Sequence, residues 1–180
     1  RGPISTVDFL TTFDCRLSTV DSRQSTVEKS SALSMSSTRE AFLSSFYSLA
    51  SAEDAERSAA ACAIAVHLNS EQRSFEAAGA AVPEGLSDAF AQAGACRELV
   101  YAIKRLVRGL TSSRGCARQG FATALARVIS DDTLTEPTPL RCILVLLDET
   151  TDCPNGLKGQ EAREKLFGRI FGYVALQRSG

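Results

Sequence analysis

The residues best suited to chemistry are basic side chains between positions 97 and 127. Seven Lys or Arg residues stand there against one acid, Glu98, which gives a local charge of +6 in a chain of net charge −1. At 3.6 residues per turn, residues 97–110 place their basic and apolar side chains on opposite sides of a helix. The candidate nucleic-acid-binding residues are those of the basic side and one that follows it: Arg97, Tyr101, Lys104, Arg105, Arg108 and Arg114.

Two interpretations of this basic side remain open from the residues alone. A clustered positive face that includes an aromatic ring is typical of surfaces that bind DNA or RNA. The same charges also serve as the solvated outer face of a packed helix, with no partner at all.

Residues for catalysis, cofactors or metals are sparse. His67 is the single histidine of the chain, and its apolar neighbours indicate a structural role. The acid pairs Asp131-Asp132 and Asp148-Glu149 stand next to predicted turns, where acids are common. The six cysteines form no CxxC pair and fit no zinc spacing. We therefore predict no catalytic, cofactor-binding or metal-binding residue, no small-molecule substrate and no membrane span.

The elements that must position these residues have a helical period from residue 37 onwards. Pro137, Pro139 and the CPNG sequence that begins at Cys153 mark the linkers. Apart from the ambiguous apolar run 140–147, no segment alternates with a period of two, so the predicted class is all-α with antiparallel helix pairs. The predicted helices span residues 38–49, 52–68, 83–93, 96–110, 114–129, 140–148 and 160–177.

Three predicted helices share a template built around an arginine. Arg57 and Arg118 are 61 residues apart, and Arg163 follows after another 45. Each arginine is followed at +3, +4, +7 and +11 by core-type residues, so we expect all three guanidinium groups to be buried structural groups. Stacked helix pairs with such an arginine are typical of HEAT- and armadillo-like solenoids. The expected partners are helix-end carbonyls or the carboxylates of Asp54, Asp148 and Glu149.

Residues 1–37 differ from the rest, and residues 38–180 form the predicted helical domain. Fifteen of the first 38 residues are Ser or Thr, so the segment has little apolar area to bury and is predicted to be a disordered extension. Two origins stay open for residues 1–34. They are either native sequence or sequence upstream of a true start at Met35.

Two blocks of this sequence resemble a known family. Residues 101–125 (YAIKRLVRGLTSSRGCARQGFATAL) resemble a hallmark segment of the family of DNA polymerase V, polymerase phi and Myb-binding protein 1A. Residues 158–172 (KGQEAREKLFGRIFG) are similar to the segment that follows it there, and residues 46–51 fit the family's N-terminal start. The resemblance spans about residues 42–180 and indicates an N-terminal part of such a protein.

The resemblance implies a nuclear and nucleolar α-solenoid that acts in ribosomal RNA synthesis, pre-ribosome maturation and transcriptional regulation. The implied partners are pre-ribosomal proteins or transcription factors, together with rRNA or DNA. Direct nucleic-acid binding by helix 97–110 is the first alternative function. Polymerase activity, which the family name suggests, is the second, and the lack of any paired-carboxylate polymerase motif in this sequence disfavours it.

Overall fold

The regular structure of the chain is helical. The computed structural model describes residues 37–79, 88–154 and 157–179, and within these residues every regular element is a helix and none is a strand. The predicted all-α class is therefore confirmed. The helices are α1 (residues 37–48), α2 (Asp54–Ala77), α3 (Asp88–Gln92), α4 (Arg97–Gly109), α5 (Gly115–Ile129), α6 (Asp132–Thr135), α7 (Leu140–Thr151) and α8 (Gln160–Ser179).

The chain divides into two compact units, Arg1–Ala41 and Phe42–Gly180. Of the first unit, only residues 37–41, which begin α1, are described. The expectations for the extension up to residue 36, including a start at Met35, lie outside the described residues. None of the described helices is both long enough and apolar enough to span a membrane.

The helices of the second unit pack in two rows. One row is α2, α5 and α8, in which α5 contacts the other two helices. The second row is α1, α4 and α7. Here α4 packs against α7, and the ring of Phe46 on α1 lies 6.3 Å from that of Tyr101 on α4. The rows are joined where α4 packs on α5 and α7 on α8.

One hydrophobic cluster lies between the two rows and extends from Phe42 on α1 to Ala175 on α8. Helix α4 contributes to this cluster the apolar face that its sequence predicts. Each fully buried aliphatic side chain on that face stabilises the fold by about 1.5–3 kcal/mol. The buried residues of this helix are Leu99, Val100, Ala102, Ile103, Leu106 and Val107.

Helix α2 runs nine residues beyond its predicted end at Leu68 and stops at Ala77. The apolar period fades after Leu68, so the extension has no hydrophobic signal in the sequence. Gly79 follows with φ +55°, a left-handed conformation that glycine adopts without a steric penalty and that commonly ends a helix. The four-residue helix α6 also went unpredicted.

The third copy of the arginine template is wrong. Arg163 is exposed, and so are Leu166 and Ile170, which the template places in the core. The backbone gives a different alignment: Gly120 approaches the carbonyl oxygen of Leu49, and Gly168, 48 residues later, approaches that of Leu110. The sequence alignment used an offset of 45, whereas the glycine contacts correspond to an offset of 48, which places Leu166 where the second copy has its arginine. At either offset the core positions of the template include Ile170, which is 55% exposed.

Candidate nucleic-acid interface

Helix α4 is held in place at its N-terminus by a buried glutamine of α2. The Gln72 carboxamide donates from Nε2 to the carbonyl oxygen of Gly94 at 2.9 Å, and its Oε1 accepts the backbone N–H of Cys96 at 2.9 Å. Gly94 has φ +71°, which turns the chain just before α4 begins. Burial raises the pKa of the Cys96 thiol at this junction, because the charged form would be desolvated. The start of the helix is therefore fixed by side-chain hydrogen bonds in addition to apolar packing.

The outer face of α4 carries most of the predicted basic residues into solvent. Arg97, Lys104 and Arg108 are exposed on the helix, and Arg114 is exposed just before α5. Within the described part of the chain, none of these four cations forms an ion pair with a carboxylate. Their charge is thus available to an external anion.

Arg105 differs from its neighbours because it is half-buried among aromatic rings. Its guanidinium carbon lies 4.3 Å from the ring centre of Phe46, 5.5 Å from that of Tyr47 and 5.9 Å from that of Tyr101. Its Nη1 also donates to the Tyr101 hydroxyl at 2.8 Å. Such cation–π contacts stabilise by roughly 0.5–2 kcal/mol. The sequence places Arg105 on the solvated side, but the structure uses it to cover the buried ring of Phe46.

Sequence reasoning missed the contribution of α1 to this surface. Tyr47 is 75% exposed and Tyr101 is 45% exposed, and both rings lie near the Arg105 guanidinium although the two residues are 54 positions apart. The adjacent Phe46 and Tyr47 give a weak signal for this exposed ring. Successive residues of a helix point in different directions, so with Phe46 in the core Tyr47 points away from it. We call the residues Tyr47, Tyr101 and Arg105 the aromatic platform.

The two arginines of the first row make the same contact in successive loops. Arg57, which is 8% exposed, donates from Nη1 to the carbonyl oxygens of Ser51 and Ala52 at 3.0 and 2.7 Å. Arg118 donates from Nη1 to those of Ser112 and Ser113 at 2.6 and 3.1 Å. The acceptors are the 61-residue equivalents of one another. Each arginine thus closes the loop that precedes its own helix, α2 for Arg57 and α5 for Arg118.

The surroundings of the two arginines differ. Arg57 also pairs with Asp54, one of the expected carboxylates, at 2.8 Å. Arg118 is half-buried and lies over the rings of Phe167 and Phe171 on α8, with centroid distances of 4.9 and 5.8 Å. In the loop that Arg57 closes, hydrogen bonds from Ser51 and Ser48 lower the pKa of the Glu56 carboxyl, since they favour its charged form.

The residues weighed as catalytic candidates have structural contacts. The His67 ring stacks on Phe42, with centroids 4.2 Å apart. Asp131 accepts the backbone N–H of Thr133 at the start of α6 and the amide of Asn69 from α2. Asp148, a partner predicted for the arginines above, pairs instead with Arg169 at 3.8 Å. Over residues 37–79, 88–154 and 157–179, no three His, Cys, Asp or Glu side chains cluster as metal ligands would.

Fold and site together define an all-α protein of packed helix pairs with a basic and aromatic surface on α1 and α4. Residues 101–180, which include most of this surface, match the family described as DNA polymerase phi. Over this segment the chain is similar to that family.

Two curated relatives are similar to this chain to nearly the same degree. The chain is 39% identical over 83 residues to the rDNA transcriptional regulator pol5 of Schizosaccharomyces pombe, an alignment that covers 46% of this chain and 8% of that protein. It is 37% identical over 83 residues to Myb-binding protein 1A of Homo sapiens, covering 46% of this chain and 6% of the relative. The chain thus spans less than a tenth of the length of these relatives. No solved structure matches it.

Proposed function

We propose that this chain is part of a non-enzymatic nuclear scaffold that regulates transcription of ribosomal RNA genes and supports pre-ribosome maturation in the nucleolus. The names of the relatives, a regulator of rDNA transcription and a Myb-binding protein, support a regulatory role that works through binding. Transcription factors and pre-ribosomal proteins are the proposed protein partners, and rRNA or DNA the proposed nucleic acids. Polymerase activity stays the disfavoured alternative.

We also propose that the second unit, as part of the helical domain 38–180, is a stretch of HEAT- or armadillo-like solenoid. Its pairs would be α1 with α2, α4 with α5, and α7 with α8. Support comes from the repeated closure of a loop by Arg57 and Arg118. Gly120 and Gly168 also repeat one contact, since each approaches the carbonyl oxygen at the end of the first helix of the preceding pair. Solenoids bind partners on the extended surfaces that successive repeats form, and α4 contributes exposed residues to such a surface.

Direct nucleic-acid binding by α4 is the second candidate function. The observation that favours it is the exposure of Arg97, Lys104, Arg108 and Arg114 without a carboxylate partner among the described residues. Phosphate groups would neutralise these charges and release condensed counterions, so that affinity would fall steeply with salt.

The scaffold proposal is tested by crosslinking the whole protein in cells and reading RNA and protein neighbours together. Enrichment of ribosomal RNA precursors, rDNA chromatin or pre-ribosomal proteins is the expected result. Neighbours drawn from unrelated compartments would overturn the proposal.

The nucleic-acid candidate is tested by the charge-reversal pair Lys104→Glu and Arg108→Glu, with Arg163→Glu and Arg178→Glu on α8 as a control of equal charge. The first pair should weaken binding to RNA and reduce the slope of log K against log salt by about 2, since each phosphate contact contributes roughly −0.9. Equal losses from both pairs would mean that only net charge matters and that α4 is not the interface.

A further inference from the structure

The aromatic platform exposes two tyrosine rings that share Arg105 as a neighbour. Arg105 contacts both rings, and its hydrogen bond to the Tyr101 hydroxyl restricts that side chain further. Beneath them, Phe46 is 2% exposed and anchors the cluster to the core. Tyr47 nevertheless remains 75% exposed. Ordering the rings in advance reduces the entropy lost when a flat ligand stacks on them.

The cations around the platform follow the axis of α4. Arg97 precedes Tyr101 by about one turn, and Lys104 and Arg108 follow it by about one and two turns. At 1.5 Å per residue, Arg97 and Arg108 are about 16 Å apart along the helix axis. One short single strand can therefore reach the platform and the flanking cations together.

We propose that the platform binds unpaired bases of single-stranded nucleic acid, with Tyr47 and Tyr101 stacking on bases while Arg97, Lys104 and Arg108 hold the phosphates. Aromatic rings interspersed with cations are how proteins bind single strands with little sequence preference. In a duplex the base faces are already stacked on one another, so only the cations would contribute. This proposal rests on nucleic-acid binding by α4 and specifies the class of nucleic acid.

The test compares two probes of equal length, a labelled 12-nucleotide oligouridylate and a 12-base-pair RNA duplex, by fluorescence anisotropy with the purified chain. Tyr47→Ala should weaken binding to the single strand by about tenfold, and the double variant Tyr47→Ala/Tyr101→Ala by more, because each stacked base contributes a factor of roughly 5–150. Binding to the duplex should change by less than about twofold. Tyr47→Phe should retain single-strand affinity, because the ring is preserved.

Tyr173→Ala is the matched control, since this tyrosine of α8 is 48% exposed and lies outside the platform. It should leave both affinities unchanged. The Tyr47 variants can be judged independently of folding, because the side chain is mostly in solvent and helicity is measurable by circular dichroism. Arg105 is left intact because it covers Phe46.

The outcomes separate this proposal from the one it rests on. If Tyr47→Ala and the double variant bind the single strand as tightly as the parent chain, while Lys104→Glu/Arg108→Glu does not, the platform proposal is wrong and nucleic-acid binding stands. If the parent chain binds neither probe, both proposals about α4 are overturned. In that case the exposed tyrosines and arginine suit a protein partner, whose interfaces are rich in these residues.

Discussion

Arg57 and Arg118 make the same hydrogen bonds in two successive loops. Both guanidinium groups bind two carbonyl oxygens of the loop six or five residues upstream. An arginine is suited to this because its planar fork presents several donors in fixed directions. The loop carbonyls before each helix have no helical N–H to bind, so the arginine supplies a donor to these partly exposed groups.

We predict that Arg57→Ala lowers the free energy of unfolding by about 2–3 kcal/mol, because the carbonyls of Ser51 and Ala52 lose their donor. The ion pair adds only about 0–1 kcal/mol, since Asp54 is almost fully solvated. Arg163→Ala is the control and should stay within about 0.5 kcal/mol, because that side chain is exposed. Urea denaturation measures both. Equal effects would show that closure of the loop is unimportant.

At the scale of the elements, two glycines determine how closely α5 approaches the end of α1 and how closely α8 approaches the end of α4. A Cβ atom added at Gly120 would collide with the carbonyl oxygen of Leu49, which is backbone and cannot rotate away. A Cβ at Gly168 would meet Cγ2 of Thr111 at 2.8 Å. Gly120 and Gly168, which lie in the two blocks that carry the family resemblance, therefore have a packing function.

Gly120→Ala should destabilise the protein by about 1–3 kcal/mol, because α5 must move away from the end of α1. The substitution would otherwise raise helix propensity by up to about 1 kcal/mol. Gly115→Ala provides the comparison on the same helix, since the nearest atom to its added Cβ is Nη2 of Arg118 at 3.7 Å. Thermal melts should show a lower Tm for Gly120→Ala and no decrease in Tm for Gly115→Ala. A neutral Gly120→Ala would contradict the close packing.

At the scale of the molecule, the second unit is organised around one continuous core. Ile64 on α2 and Ile143 on α7 belong to the same buried cluster even though their helices stand in different rows. The row α2, α5 and α8 ends in a helix with exposed Leu166, Phe167 and Ile170. The core is thus dense at α4 and α5 and thin at the outer face of α8.

We expect Ile64→Ala and Ile143→Ala each to lower the free energy of unfolding by about 2–5 kcal/mol in a single cooperative transition. Val66→Ala on α2 is the control, and because this side chain is 70% exposed its effect should not exceed about 0.5 kcal/mol. Far-UV circular dichroism and tyrosine fluorescence should give coincident transitions. Separate transitions for the two isoleucine variants would show that the rows unfold independently.

The sequence by itself determined the helical class, the two faces of α4 and the equivalence of Arg57 with Arg118. These features are readable because they depend on spacing within one helix, or on a repeat whose copies keep the same loop length. The bounds of α4 and α5 were predicted to within a residue for the same reason.

Only the tertiary structure decided which rings meet Arg105, which face of α8 is buried and how α2 is fastened to α4. Tyr47 and Tyr101 both lie near Arg105 because α1 packs against α4, a contact for which the local periodicity contains no signal. The exposed stripe of α8 follows the same apolar spacing as a buried one, so periodicity alone could not assign its side. Gln72 lies on α2, beyond the point where the apolar periodicity of that helix ends. Its side chain is nevertheless buried because its amide has hydrogen-bonding partners on the turn before α4.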